Sequence, residues 1–361
     1  MTEALTLTDP TAETMGKPGV LWRPFLKLIR DERDLPFVKL ALWLTLVFVP
    51  LAIYLFTPGN FNWWLVGVYW MAYAWYLGPY VLMLHNTSHR TLFKPDYALL
   101  NKYIPWVVGP FVGMSPDTYF VHHMQMHHVD DNLPDDLSST MKWQRDNFFH
   151  FIQYYLAALF GWFSFSKYLL DRGKKRMLKR FWIGEAFYII ATIGLLYLNW
   201  RPALMLFAIP FVFTRFMLMA GNWGQHAFID PDDPKNDYKT VITFINSPYN
   251  HRCFNDGYHL GHHLRASRHW LDMPADFHAK REEMIAARSL VFRKLDYFMI
   301  FVLLMTRSYK TLTKFTVQLD TDNPLSEEEL IALFKQRVQR FDPETLESLS
   351  ASRAKLAKAA A

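Results

Sequence analysis

The sequence predicts an all-α integral-membrane protein built from two transmembrane hairpins (four spanning helices), interfacial helices and a cytosolic histidine-rich cap. Three observations carry that expectation. Of the 361 residues 51% are hydrophobic and 17% aromatic, yet 20% are charged, which fits long apolar segments alternating with water-exposed stretches. Four segments are long and apolar enough to cross a bilayer. Ten of the fourteen histidines fall in four short clusters beside them.

The first two spans are residues 40–56 and 61–84. Neither holds a charged residue, and the turn Thr57-Pro58-Gly59-Asn60 divides them. Residues 181–200 and 202–220 form the second pair, joined at Asn199-Trp200-Arg201-Pro202. Each pair reads as a hairpin. Residues 148–166 are similarly apolar, but both of their flanks fall on one side of the membrane, so they are expected to lie in the interface or to dip in and return. Phe298–Met305 is too short to span.

Orientation follows from the basic residues. Arg23, Lys27, Arg30, Arg33 and Lys39 precede the first span, whereas the first hairpin loop has no Lys or Arg. Lys167, Arg172, Lys174, Lys175, Arg176, Lys179 and Arg180 stand before the second hairpin. These ends are therefore expected in the cytosol. The start of the chain is polar and carries no apolar signal core, so no cleaved leader is expected. Residues 1–36 read as a cytosolic segment, 37–305 as the membrane domain and 306–361 as a soluble helical tail. In that tail Ser326 and Glu329 make a capping box opening a helix to about Phe341.

A net charge of +6 with apolar spans between basic clusters points to an anionic membrane surface rather than nucleic acid. The single cysteine, Cys253, excludes an intramolecular disulfide and fits a reducing compartment. Two ionisable residues, Glu185 and Arg215, fall inside the second hairpin. At ~1.5 Å rise per residue they reach matched depths, roughly 6–8 Å below the interface, and are expected to form a structural ion pair. The plainer alternative is that Arg215 snorkels to the headgroups.

The clusters are His85-Asn86-Thr87-Ser88-His89, His122-His123-Met124-Gln125-Met126-His127-His128, Asn222-Trp223-Gly224-Gln225-His226 and His259-Leu260-Gly261-His262-His263. A lone histidine is usually a satisfied polar side chain. Residues three and four apart on a helix share a face, however, so each cluster can aim imidazoles at one point. All four lie on the cytosolic side of the topology drawn from lysines and arginines alone. About nine imidazoles are too many for zinc, which takes three or four protein ligands. Two octahedral ions use them all and leave positions for O₂, and imidazole suits iron. Soluble di-iron enzymes use Glu-x-x-His instead, which occurs nowhere here.

The boxes HxxxH, HxxxHH and HxxHH, with the extra His226, resemble the integral-membrane fatty acid desaturase and hydroxylase superfamily. The resemblance covers roughly residues 40–280. It implies a di-iron centre on the cytosolic face and makes 37–305 a catalytic domain. Carried over, the metal ligands are His85, His89, His123, His127, His128, His226, His259, His262 and His263. Asn222 takes the place of an Asn that binds through water in acyl-CoA members, and His122 offers an alternative register for the second box. Asp130, Asp131 and Asp256 flank the boxes and are candidates to orient imidazole N–H groups. His150, His251, His269 and His278 lack partners at ligand spacing.

The reaction so implied is O₂-dependent desaturation of a fatty acyl chain, carried as acyl-lipid or acyl-thioester. A hydroxylase or ketolase of the same superfamily is the alternative. Two irons are the cofactor. Electrons would come from a separate ferredoxin-, rubredoxin- or cytochrome b5-like donor, since no fused carrier is visible. A bacterial inner membrane is the expected location. The aromatic side chains Trp63, Trp64, Tyr69, Trp70, Tyr73, Trp75 and Tyr76 could line an acyl slot, although lipid-facing packing accounts for most of them. A membrane zinc hydrolase would leave most histidines unexplained, and a metal transporter would put its ligands at mid-bilayer.

Overall fold

The computed structural model describes residues 5–359; residues 1–4 and 360–361, the outermost parts of the expected end segments, lie outside the described residues. In chain order the helices that matter are α1 (Glu32–Phe56), α2 (Trp63–His89), α3 (Thr118–His122), α4 (Phe148–Leu159) and α5 (Trp162–Asp171). They are followed by α6 (Lys175–Leu198), α7 (Trp200–Gln225), α8 (His259–Leu264) and α9 (Glu327–Arg337). Among the described residues the sole sheet pairs β1 (Thr243–Ile245) in parallel with β2 (Val291–Arg293). The protein is thus all-helical in class. It divides into two compact units, one of residues 12–125 and 166–216, the other of residues 1–11, 126–165 and 217–361.

Three helices, α1, α6 and α7, are long and apolar enough to cross a membrane. They hold three of the four expected spans. The fourth, 61–84, lies in α2, which has the length at 27 residues but is not among those three. Its tyrosines, tryptophans, Gly67, Gly78 and Pro79 dilute its hydropathy. The expected interfacial segment 148–166 is not one helix. It breaks at Phe160–Gly161 into α4 and α5, and a Cβ at Gly161 would overlap the Ala157 carbonyl.

In the first unit, α1 and α7 each widen into a π turn, at Leu44–Phe48 and Leu204–Ala208, just before Pro50 and Pro210. An interior proline lacks its N–H and crowds the preceding turn, so the helix takes up an extra residue there. The buried stripe of α2 runs Val66, Tyr69, Tyr73, Leu77, Tyr80 at helical spacing. Its tyrosine hydroxyls find acceptors that an apolar environment would not supply: Tyr69 donates to Phe111 O (2.6 Å), Tyr80 to Ile104 O (3.2 Å), and Tyr73 bonds Thr214. Trp63, Trp64 and Trp75 are exposed instead, as are Leu46, Ile53, Ile190 and Ile193, which suits a lipid-facing surface. Arg215 Nη2 lies 2.5 Å from Glu185 Oε1, and its guanidinium also covers the Phe211 ring. Gly184 lets α6 pass against Pro116, whose carbonyl a Cβ would overlap.

In the second unit the β pair sits between two apolar cores. One contains Phe228, Phe244, Phe292, Tyr297, Leu330, Phe334 and Val338, so α9 packs with the segment after His226 rather than standing apart. Ser326 and Glu329 cap α9 reciprocally, and the helix ends at Arg337, short of the expected Phe341. Arg145 is fully buried and spends its guanidinium on backbone carbonyls. Nε donates to Ala227 O (3.0 Å), Nη1 to Thr140 O (3.1 Å), and Nη2 to Arg337 O (3.0 Å) and Gln339 O (2.5 Å). Near the other end of the chain, buried Asp9 accepts from the backbone N–H of Asn246 (2.7 Å) and Ser247 (3.2 Å) and from Tyr258 Oη (2.5 Å).

Candidate metal centre

The first unit contributes three clustered imidazoles. His85 and His89 sit one turn apart at the end of α2, and in the polar run between them Asn86, Thr87 and Ser88 satisfy their side chains on the carbonyls of Leu82, Met83 and Leu84 within the helix. His123 follows α3, which opens at Asp117 in a left-handed conformation (φ 61°). The three ring centroids lie 4.6–5.4 Å apart, and His89 Nε2 is 2.9 Å from His123 Nε2. Tyr119 stacks on His123. His123 is the residue of the second box that meets His85 and His89.

The second unit brings together six more. The second box is wound as a π turn over His123–His127 and continues as a short helix from His128 to Asp130. His226 follows α7, and α8 carries His259, His262 and His263. His127, His226 and His263 each offer a nitrogen within 4.8 Å of the others. His262 Nε2 stands 2.9 Å from His128 Nε2, His263 Nε2 3.0 Å from His259 Nε2, and His259 Nε2 3.5 Å from His226 Nε2. Two nitrogens at right angles, each about 2.1 Å from one ion, stand roughly 3 Å apart. Rings that meet Nε2 to Nε2 at that distance match the spacing of two ligands on one shared metal ion.

Carboxylates stand behind these rings. His127 Nδ1 lies 2.9 Å from Asp136 Oδ2, and Asp136 is itself fixed by the N–H and hydroxyl of Ser138 (2.7 and 2.6 Å). His263 Nδ1 lies 2.7 Å from Asp131 and 3.5 Å from Asp237. A carboxylate only accepts, so the proton sits on Nδ1 and the Nε2 lone pair is left for a metal. Burial alone would lower the His263 imidazole, but the bonds and charges of Asp131 and Asp237 outweigh it and push it up to about 10, so the metal-free ring carries a second proton on Nε2 that a bound ion would displace. Burial alone would raise Asp131; His263 outweighs that and holds it well below the usual carboxylate range. Burial, then the charges of His263 and His127, keeps His226 well below its ordinary value and so neutral, the ligating form. Its Nδ1 is buried without a hydrogen-bond partner. A donor set of imidazole nitrogens oriented by carboxylates, with no thiolate, fits a first-row ion such as iron.

The remaining sequence candidates fall as follows. Asp131 lies against the His263 imidazole, 2.7 Å from Nδ1. Asp256 accepts from Tyr249 Oη (2.7 Å), and Asp130 is buried beside the second box. Asn222 lies one turn before His226 and donates its amide to Tyr154 Oη (2.7 Å) and Ser138 O (3.0 Å). His150 accepts from Gln144 N–H, and His269 from Leu271 N–H, both ordinary local roles. Asp136 and Asp237 were not singled out by sequence. The run Asp135-Asp136 close behind the second box was the available signal for the first; none marked the second.

The profile of the fatty acid desaturase family matches residues 61–295, a span that contains all four histidine clusters. The chain belongs to the fatty acid desaturase family. No curated protein matches it closely enough to be counted a relative. Members of the family are oxidoreductases with a di-iron centre, and the apolar helices of this desaturase-family chain make it a membrane protein. The match begins just before α2 and ends after β2, leaving out α1, α9 and the strap around Asp9.

Proposed function

We propose that the protein is an O₂-dependent fatty acyl desaturase that places a double bond in a lipid hydrocarbon chain. The observation that supports this most is the set of Nε2 atoms facing one another at about 3 Å with carboxylates behind them, in a chain of this family. The nine histidines named above serve two non-haem irons, which when bound supply the activation of dioxygen and the oxidation of an unactivated methylene. The chain's residues do the rest. Asp136 and Asp131 hold the protons of His127 and His263 on Nδ1, and the resemblance to acyl-CoA members would have Asn222 reach the centre through water. Removal of hydrogens from two neighbouring carbons gives a double bond, whereas insertion of oxygen gives an alcohol or ketone, so a hydroxylase or ketolase is the second reading.

A separate ferredoxin-, rubredoxin- or cytochrome b5-like carrier delivers the electrons. We propose four spans with the histidines on the cytosolic face, a topology that the basic residues and the need of such a carrier to reach the centre support, and a bacterial inner membrane as the location. Two measurements test these points. Metal analysis should return about two irons per chain; one zinc per chain would favour a hydrolase. Lipid profiling of an expressing host should reveal new unsaturation, and hydroxylated or keto lipids without it would move the reading to the alternative.

A further inference from the structure

A cavity of about 280 Å³ in the first unit lies between the helical turns Pro95–Lys102 and Ile104–Val108 and the start of α6. Lys102, Arg176, Lys179 and Arg180 line it, with Trp106 and one carboxylate, Asp117. Asp117 is already committed, accepting from Lys102 Nζ (2.9 Å), Trp106 Nε1 (3.1 Å) and Arg180 Nη2 (2.6 Å). Arg176 and Lys179 have no ion-pair partner among the described residues. Four cations against one anion leave the cavity three charges in excess.

The surroundings sharpen that excess. Every residue from Lys174 to Arg180 other than Met177 and Leu178 is basic, and they stand at the N-terminus of a 24-residue helix with no acidic residue in its first turn and no side-chain cap. Cations there oppose the helix dipole, and an anion answers both fields at once. Below the cavity, Ile183, Phe187, Ile190 and Ile193 form one exposed apolar face of α6, and Trp106 meets Phe187 (5.6 Å between rings). A cationic recess at the end of a candidate span, continuous with an apolar strip, matches a phosphate attached to hydrocarbon chains.

We propose that this recess binds the phosphate headgroup of an anionic membrane phospholipid, whose acyl chains lie along the Ile183–Phe187–Ile190 face of α6. Arg176 and Lys179 are the residues that engage the phosphate, while Asp117 keeps Lys102 and Arg180 in place.

The test uses the full-length protein in mixed micelles of phosphatidylglycerol and phosphatidylcholine, with retained lipid read by native mass spectrometry. Wild type should retain phosphatidylglycerol preferentially, and Arg176→Gln with Lys179→Gln should reduce that preference roughly thirtyfold, as two interfacial cations are removed. Both positions are exposed, so the iron content and elution profile of the variant should match wild type; Lys179→Gln alone should give a smaller loss in the same direction. Equal retention of the two lipids by wild type, or an unchanged preference in the folded double variant, would overturn the proposal. Displacement of phosphatidylglycerol by excess inorganic phosphate would show that a free phosphate suffices and would overturn the lipid assignment.

Discussion

Arg145→Met should be among the most damaging single changes outside the histidines. Methionine nearly matches the volume but donates nothing, so the carbonyls of Ala227, Thr140, Arg337 and Gln339 lose bonds of 2.5–3.1 Å in a site closed to water. A hydrogen bond from a charged donor is worth about 1.5–3 kcal/mol, which sums to roughly 6–12 kcal/mol for four. Removing a buried guanidinium returns several kcal/mol of desolvation. The net expectation is a loss of about 3–5 kcal/mol, concentrated where the loop after the second box, the segment after His226 and the end of α9 meet. Arg145→Lys should recover little, since one ammonium cannot reach carbonyls on three segments. Chemical unfolding in detergent, followed by a probe in the second unit such as limited proteolysis near residue 339, measures it. A Met variant within about 1 kcal/mol of wild type, or a Lys variant equal to it, would refute the reasoning.

Other changes address the candidate centre and the spans. His127→Ala should abolish turnover and lower iron content while leaving membrane insertion intact; an active, iron-replete variant would remove it from the ligand set. Asp136→Asn should weaken metal binding about 10–100-fold, read by competition with a chelator, because the amide no longer fixes the His127 proton on Nδ1. Glu185→Ala should destabilise more than Glu185→Ala with Arg215→Ala, since the single change strands a buried charge, and additive effects in a double-mutant cycle would contradict coupling. Cysteines at Lys174 and Arg265 should resist a membrane-impermeant reagent in intact cells while one at Asn60 reacts; the reverse pattern would invert the proposed topology.

Much of this was legible in the chain because it is local. His85 and His89, or His259 and His263, are one helical turn apart, and that spacing is visible in any sequence. The same holds for Ser326 with Glu329. Glu185 and Arg215 were linked by depth, which needs only the rise of a helix. What escaped depends on contacts between distant segments. Asp237 reaches His263 from a short helix 26 residues earlier, and no period connects them. The β1–β2 pair rests on three residues a side, too short for alternation to register. The π turns at His123–His127 and before Pro50 and Pro210 insert a residue that helical-face reckoning does not count. The break at Gly161 was masked by continuous hydrophobicity over 148–166, because hydropathy sees composition and not the backbone turn. Arg145 is the hardest case, since a lone arginine in a loop reads as solvated until its carbonyl partners are assembled around it.

The anchoring of Asp9 bears on the order in which the protein is made. Asp9 closes on residues 246–258, so its contact joins two stretches 237–249 residues apart, the second of which is synthesised well after the first. Closing a flexible loop of that length costs about 5 kcal/mol in chain entropy, comparable to what three hydrogen bonds to a carboxylate return. The strap therefore gains net hold only once the intervening helices have condensed and shortened the effective loop. It is a late latch, set at Tyr258 immediately before the box that carries His259, His262 and His263. A bulky fusion placed ahead of residue 5 would drag on that latch and on the last histidines to be installed, whereas the same fusion after residue 359 would not.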